Sequence, residues 1–258
     1  MQRSLVARLC CAVMAFAVSG VMVVAGAAPA SAVGPVEILT GLKSAYDAYE
    51  KYFGGQLTLA QAVTQIEDAI GQAKTEILTE IDLMAASQAQ ACSRTAVLDL
   101  QNLNRKTLDQ QQAYATSTLA CVELAKVDIN NLATPVGVDL VAFAMNAVGP
   151  IALIVNASVG FNTTDLTAEL RAANQQSISR LAPSCTATPL TGDSEPGGQL
   201  EYQLICRAFN GNVGYDSVFV WPRRGRPLHP FDFTVAIDAA MAGTSYPVSV
   251  AAIADLSA

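Results

Sequence analysis

Apolar residues recur at spacings of three and four through residues 36–131, the period of an α-helix with one buried stripe. Leu39, Leu42, Tyr46, Tyr49 and Phe53 form the first stripe, which Gly54-Gly55 ends. Thr58-Leu-Ala-Gln61 is a capping-box start, and the stripe resumes as Val63, Ile66, Ile70, Ala73, Ile77, Ile81 and Met84. A further helix carries Leu119, Val122 and Ile129, with Pro135-Val-Gly137 as its expected stop. Residues 140–164 hold no charge in 25 positions, and Gly149-Pro150 interrupts them. Because proline removes a helical hydrogen bond, the pattern predicts a buried helical hairpin over 140–164. Thr164-Asp165 then opens an amphipathic helix through Leu166, Leu170, Ala173, Ile178 and Leu181, closed by Pro183.

Beyond Pro183 the period changes to two. Leu200, Tyr202, Leu204, Cys206 and Ala208 alternate with more polar neighbours, and Tyr215–Trp221 is β-branched and aromatic. Phe231, Phe233, Val235 and Ile237 alternate with Asp232, Thr234, Ala236 and Asp238, and a last strand is expected around Val248 and Val250. Four strands in succession predict an antiparallel meander. The expected class is therefore α+β: an antiparallel helical bundle over residues 33–182 followed by a small β domain over 183–258.

Residues 1–32 read as a secretory signal peptide: Arg3 and Arg8, an uncharged apolar run, then Pro29-Ala-Ser-Ala32 with small residues at an A-x-A cleavage site. Cys10 and Cys11 lie early in that run, where a lipid-modified cysteine does not belong. Cleavage near Ala32 predicts a secreted, extracellular chain. Export gives meaning to the four cysteines that remain, because an oxidising compartment favours disulfides. Four cysteines allow three pairings, of which Cys92–Cys121 and Cys185–Cys206 fit the predicted segments. The first pair is centred on Asn104-Arg-Lys-Thr107, so a bend there brings the two cysteines together in a helical hairpin. No C-x-x-C spacing supports zinc.

Leu42-Lys-Ser-Ala-Tyr-Asp-Ala-Tyr-Glu50 and Gln61-Ala-Val-Thr-Gln-Ile-Glu-Asp-Ala-Ile70 give the helical half a texture that resembles exported helical proteins of high-GC Gram-positive bacteria, a group without an assigned activity. The resemblance implies export and a helical bundle and implies no chemistry.

Composition narrows the chemistry. Without its leader the chain has 13 basic against 22 acidic residues, a net of −9. Such a balance argues against nucleic acid as a partner, since binding there depends on neutralising phosphates. His229 is the single histidine, which removes multi-histidine metal sites and leaves it as the one conceivable base of a Ser-His-Asp triad. It sits in a Pro-rich loop with no G-x-S-x-G elbow, and reads as a bystander. Asp128-x-Asn130 opens an EF-hand-like spacing that fails at Leu132, Ala133 and Pro135. No catalytic residue, metal or cofactor is assigned.

The sharpest local feature is Trp221-Pro-Arg-Arg-Gly-Arg-Pro-Leu-His-Pro230. Arg223, Arg224 and Arg226 form a cluster whose guanidinium forks match carboxylates and phosphates, with Trp221 beside them. An anionic surface, a wall polymer or an acidic protein is the partner this loop would take. The alternative is a solvated loop paired with the chain's own acids. The leading reading is thus a secreted, disulfide-bonded, non-catalytic binding or envelope-associated protein. A membrane-active, pore-forming-like protein using 140–164 comes second, and a carboxylate-based hydrolase third.

Overall fold

The apolar stripes become helices almost where they are written. The computed structural model describes residues 35–82, 87–190, 200–220 and 230–257. Residues 1–32, expected to be a signal peptide, and Met84 lie outside them. Six helices come first: α1 (Pro35–Phe53), α2 (Leu59–Asp82), α3 (Ser87–Leu100), α4 (Leu108–Asn131), α5 (Pro135–Ser158) and α6 (Thr164–Leu181). Leu42, Tyr46, Ile66, Ile70, Ile77 and Ile81 are buried as the stripes require, whereas Phe53 ends α1 in solvent. Gln61 N–H donates to Thr58 Oγ1 (3.3 Å) and Thr58 N–H to Gln61 Oε1 (2.8 Å), which is the expected capping box.

The bend between α3 and α4 falls at residues 101–107, where the cysteine symmetry puts it. A short 3-10 turn, Leu103–Arg105, reverses the chain, and a second capping box, Thr107 with Gln110, starts α4. Arg180 of α6 donates to the carbonyls of Ile129, Asn130 and Leu132, satisfying acceptors that the end of α4 leaves open. Lys126 of α4 and Glu169 of α6 add an ion pair to the same contact.

In place of the expected hairpin over 140–164, α5 runs uninterrupted from Pro135 to Ser158. Pro135 does not merely stop α4: it occupies the first turn of α5, behind the Thr134 cap. Pro150 lies inside α5 and Gly149 beside it, both buried. Pro150 forfeits one backbone hydrogen bond at a cost of about 3 kcal/mol, which burial of the helix on every side offsets. Gly149 is there for packing. A Cβ at this position would collide with the Tyr46 hydroxyl of α1 and press on Leu170 of α6. With α1, α2, α3, α4, α6 and the last helix, α8 (Tyr246–Asp255), all packed against it, α5 is the axis of the bundle.

The C-terminal part holds β1 (Ser184–Pro189), β2 (Leu200–Arg207) and β3 (Val213–Val220), an antiparallel sheet of order β1-β2-β3. The α+β class and the meander stand, but their membership differs from the expectation. The segment entering the sheet is itself a strand, β1. The strands expected at 231–237 and around Val248 and Val250 are helices: α7 (Thr234–Met241) and α8 (Tyr246–Asp255). Asp232 accepts from Thr234 N–H (2.9 Å) and Oγ1–H (2.6 Å), a turn that launches α7. Ala236 and Ala240, one turn apart, then face the sheet. Gly214 of β3 lies so close to α7 that a Cβ would strike the Ala236 carbonyl. From there α8 returns to pack on α1, α5 and α6.

Candidate functional site

Two disulfides form, Cys92–Cys121 and Cys185–Cys206, with Cα separations of 5.6 and 4.1 Å. The first joins α3 to α4. The second links residues directly opposite one another on β1 and β2. Both are compatible with an extracellular location.

The arginine cluster of the sequence reading, Arg223, Arg224 and Arg226 with Trp221, lies outside the described residues, as does His229. The strand that leads to it does not. Along β3, Tyr215, Ser217 and Phe219 face solvent, while Gly214 and Val218 turn toward α7 and the core. Tyr215 is 56 % exposed and Phe219 60 %. Strand register places Thr186, Ile205 and Tyr215 in one row across the sheet, and Thr188, Gln203 and Ser217 in the next. Glu201 stands beside Phe219, and Leu190 N–H donates to the Glu201 carbonyl (2.9 Å), extending that row. The outer face is therefore a flat grid: two aromatic rings four residues apart, about 13 Å by strand geometry, with hydroxyls and an amide between them. Its ends carry one base, Arg207, and one acid, Glu201, so the patch is charge-balanced on an otherwise acidic chain.

A second surface feature is a groove of about 330 Å³ between α3 and α4. Thr95 and Asp99 form one wall, Gln110 and Ser117 the other, and Tyr114 is its floor. Tyr114 donates to the Ala96 carbonyl (2.5 Å) and is almost wholly buried, which pushes its phenol pKa up. Lys106 closes one end, 3.2 Å from Asp99 Oδ2 and 5.4 Å above the Tyr114 ring. Cys92 and Cys121 lie one turn beyond the other end.

The membrane reading is altered by α5. Its 24 residues make a rod about 36 Å long, enough to cross a hydrocarbon core of roughly 30 Å. Its most apolar window has a mean hydropathy of 2.0, yet 83 % of that window is buried. Asp139 is its one charged residue. Ser245 donates to Asp139 Oδ1 through both N–H (2.8 Å) and Oγ–H (2.7 Å), so a carboxylate on α5 caps the start of α8. Burial nevertheless raises the Asp139 pKa, outweighing those two bonds. Asp139 and Glu80 border a cavity of about 70 Å³, room for a few waters and far below the roughly 300 Å³ where ligand pockets begin.

Inside the bundle, Tyr46 Oη, Asn146 Oδ1 and Asn174 Oδ1 are buried without a hydrogen-bond partner. Burial drives the Tyr46 pKa up, and the nearby Asn174 side chain only softens this. At the far end of α8, burial together with the charges of Asp47 and Glu50 pushes Asp255 up to about 6. Among the described residues no group of three or more His, Cys, Asp or Glu side chains could hold a metal. Comparison of the chain with protein-family models, with curated proteins and with solved structures finds no match.

The exposed rings of β3 were missed because Tyr215–Trp221 has apolar residues on both faces, and its sequence does not say which face is covered. The groove needs α3 and α4 side by side, a pairing visible only once the bend and the disulfide are placed.

Proposed function

We propose that this chain is an exported, disulfide-bonded protein that acts by binding rather than by catalysis, and that its working surface is the outer face of the β-sheet, which takes an extended wall glycan. The observation that carries the reading is the pair Tyr215 and Phe219, more than half exposed on a sheet whose other face is packed. Aromatic rings in water are costly surface, and a flat sugar ring presents the C–H face that covers them. Thr188, Gln203 and Ser217, lying between the rings, supply donors and acceptors for sugar hydroxyls. A charge-balanced patch lets the uncharged sugar rings of a polymer approach a chain that is acidic elsewhere. The arginine loop directly follows β3 in sequence, and in this reading it supplies the anionic groups of such a polymer with their partners.

Sedimentation with insoluble cell-wall glycan tests this. The exported chain is expected to sediment with the polymer, and the Tyr215→Ala/Phe219→Ala double variant to stay in the supernatant with unchanged thermal stability. Equal retention of both proteins overturns the reading.

A second reading, membrane activity, draws support from one feature: α5 is a single rod of bilayer length rather than two short halves. It requires α5 to leave six packed neighbours. Leakage of dye from anionic liposomes on adding the chain is what it predicts, and absence of leakage from neutral to mildly acidic pH makes α5 bundle core alone.

A further inference from the structure

The groove between α3 and α4 is built like a small-ligand site, and we propose that it binds one uncharged sugar ring, or the end of a short uncharged oligosaccharide, through the ligand's hydroxyls. The inference concerns a different surface from the sheet face and stands whether or not that face binds glycan.

Its dimensions come first. At about 330 Å³ the groove lies at the lower limit of known ligand pockets, which restricts the occupant to a small molecule. Rigidity comes next. Thr95 and Asp99 are one turn apart on α3, and Gln110, Tyr114 and Ser117 recur at four and three residues on α4, so each wall is a single helix face. The two faces cannot slide past one another. The Cys92–Cys121 disulfide pins one end, and the Tyr114 bond to the Ala96 carbonyl pins the middle. A site held this way loses little freedom when a ligand arrives.

The polar groups then select the chemistry. Lys106 Nζ has three donors and gives one to Asp99, which leaves two for other acceptors. Gln110 uses Oε1 to accept from Thr107 N–H (2.9 Å), which turns its amide N–H groups away from the backbone. Thr95 Oγ1 spends its proton on the Ala91 carbonyl (2.9 Å) and keeps its lone pairs. Asp99 Oδ1 and the Ser117 hydroxyl complete a set that holds both donors and acceptors. One cation and one anion, already paired, leave the site without net charge. A charged ligand gains from one member of the pair what it loses at the other, and profits only by breaking the Lys106–Asp99 ion pair. A polyol, whose every hydroxyl both donates and accepts, satisfies both and leaves the pair intact.

Ligand-observed NMR and calorimetry on the exported chain test the proposal, using glucose and N-acetylglucosamine as neutral probes and glucuronate and glucosamine as charged ones. Saturable binding of a neutral probe is expected, with the charged probes about tenfold weaker, the cost of one ill-matched charged contact. Ser117→Leu, an exposed position whose larger side chain fills the groove, is expected to abolish binding at unchanged melting temperature. Lys106→Met is expected to weaken it about tenfold. The Tyr215→Ala/Phe219→Ala variant should bind these small probes as the unaltered chain does, which separates this site from the sheet face. Failure of both neutral probes to saturate the chain at their solubility limit overturns the proposal, and so does undiminished binding by Ser117→Leu or tighter binding of a charged probe.

Discussion

Two stretches of the folded chain, the apolar helix α5 and the mixed strand β3, treat solvent in opposite ways. Helix α5 carries a single charge in 24 residues and beyond its first turn shows little to solvent, because six helices turn their apolar stripes toward it. Strand β3 is half polar, yet it holds Tyr215 and Phe219 out in water. Hydrophobicity alone admits α5 as a membrane-active element and marks nothing functional on β3. Exposure reverses that: an apolar segment that has found its partners has done its structural work, whereas an apolar side chain left uncovered on a rigid sheet is surface with an unmet preference.

The comparison breaks most visibly at Ile151, which is 0 % exposed at the centre of α5. Ile151→Asp buries a charge with no partner and is expected to cost about 4–5 kcal/mol or prevent folding. Urea denaturation measures it, and a loss under 1 kcal/mol would mean that α5 is not the packed axis of the bundle. A membrane test that places charge at this position therefore reports unfolding instead of insertion.

Gly214→Ala probes the other region from its covered side. The new methyl meets the Ala236 backbone carbonyl of α7, which cannot rotate away as a side-chain end can. Sheet and helix must separate, at about 3 kcal/mol, the upper range for overpacking. Gly149→Ala in α5 collides with a side-chain hydroxyl and should cost less. A smaller loss for Gly214→Ala than for Gly149→Ala, in the same denaturation series, would show that α7 sits loosely on the sheet.

Part of this contrast was legible in the sequence. The stripes through Tyr46 and Ile70 and the bend between Cys92 and Cys121 were legible in the spacing, because helix period and cysteine symmetry are local, and the disulfides that form are the one pairing of three that fitted the predicted segments. Gly149-Pro150 misled because a break and a close packing site use the same two residues, and the Tyr46 hydroxyl that decides between them comes from α1. The Phe231–Ile237 alternation was equally compatible with the entry to an Ala-rich helix, and the Asp232–Thr234 turn tipped it. At the sheet, only the position of α7 distinguishes the face of Val218 from that of Tyr215.

A charge effect of about 1 kcal/mol comes next. Burial and the neighbouring Asp47 and Glu50 raise Asp255 from its ordinary 3.8 to about 6. Its protonated form is thus favoured in the fold. The associated stability is fully present below about pH 4 and is lost as pH rises through about 6. Partial exposure screens the effect, leaving about 1 kcal/mol at neutral pH. Asp255→Asn should therefore stabilise the chain by that amount at pH 7 and by nothing below pH 4, in chemical denaturation at the two values. A stabilisation that is the same at both would mean the carboxylate's charge is not its cause.

The smallest effect on stability is the most informative about function. Replacing Tyr215 and Phe219 together with alanine removes two rings that touch water more than protein, and the expected change is within about 0.5 kcal/mol. Replacing Ile205, half-buried in the same row as Tyr215, should cost more, because its side chain also packs within the sheet. The contrast makes the test specific. If the double variant melts with the unaltered chain and no longer sediments with wall glycan, the rings were kept for a partner. If it melts several degrees lower, they stabilise the fold itself, and the outer face of β3 is packed surface like α5 rather than its opposite.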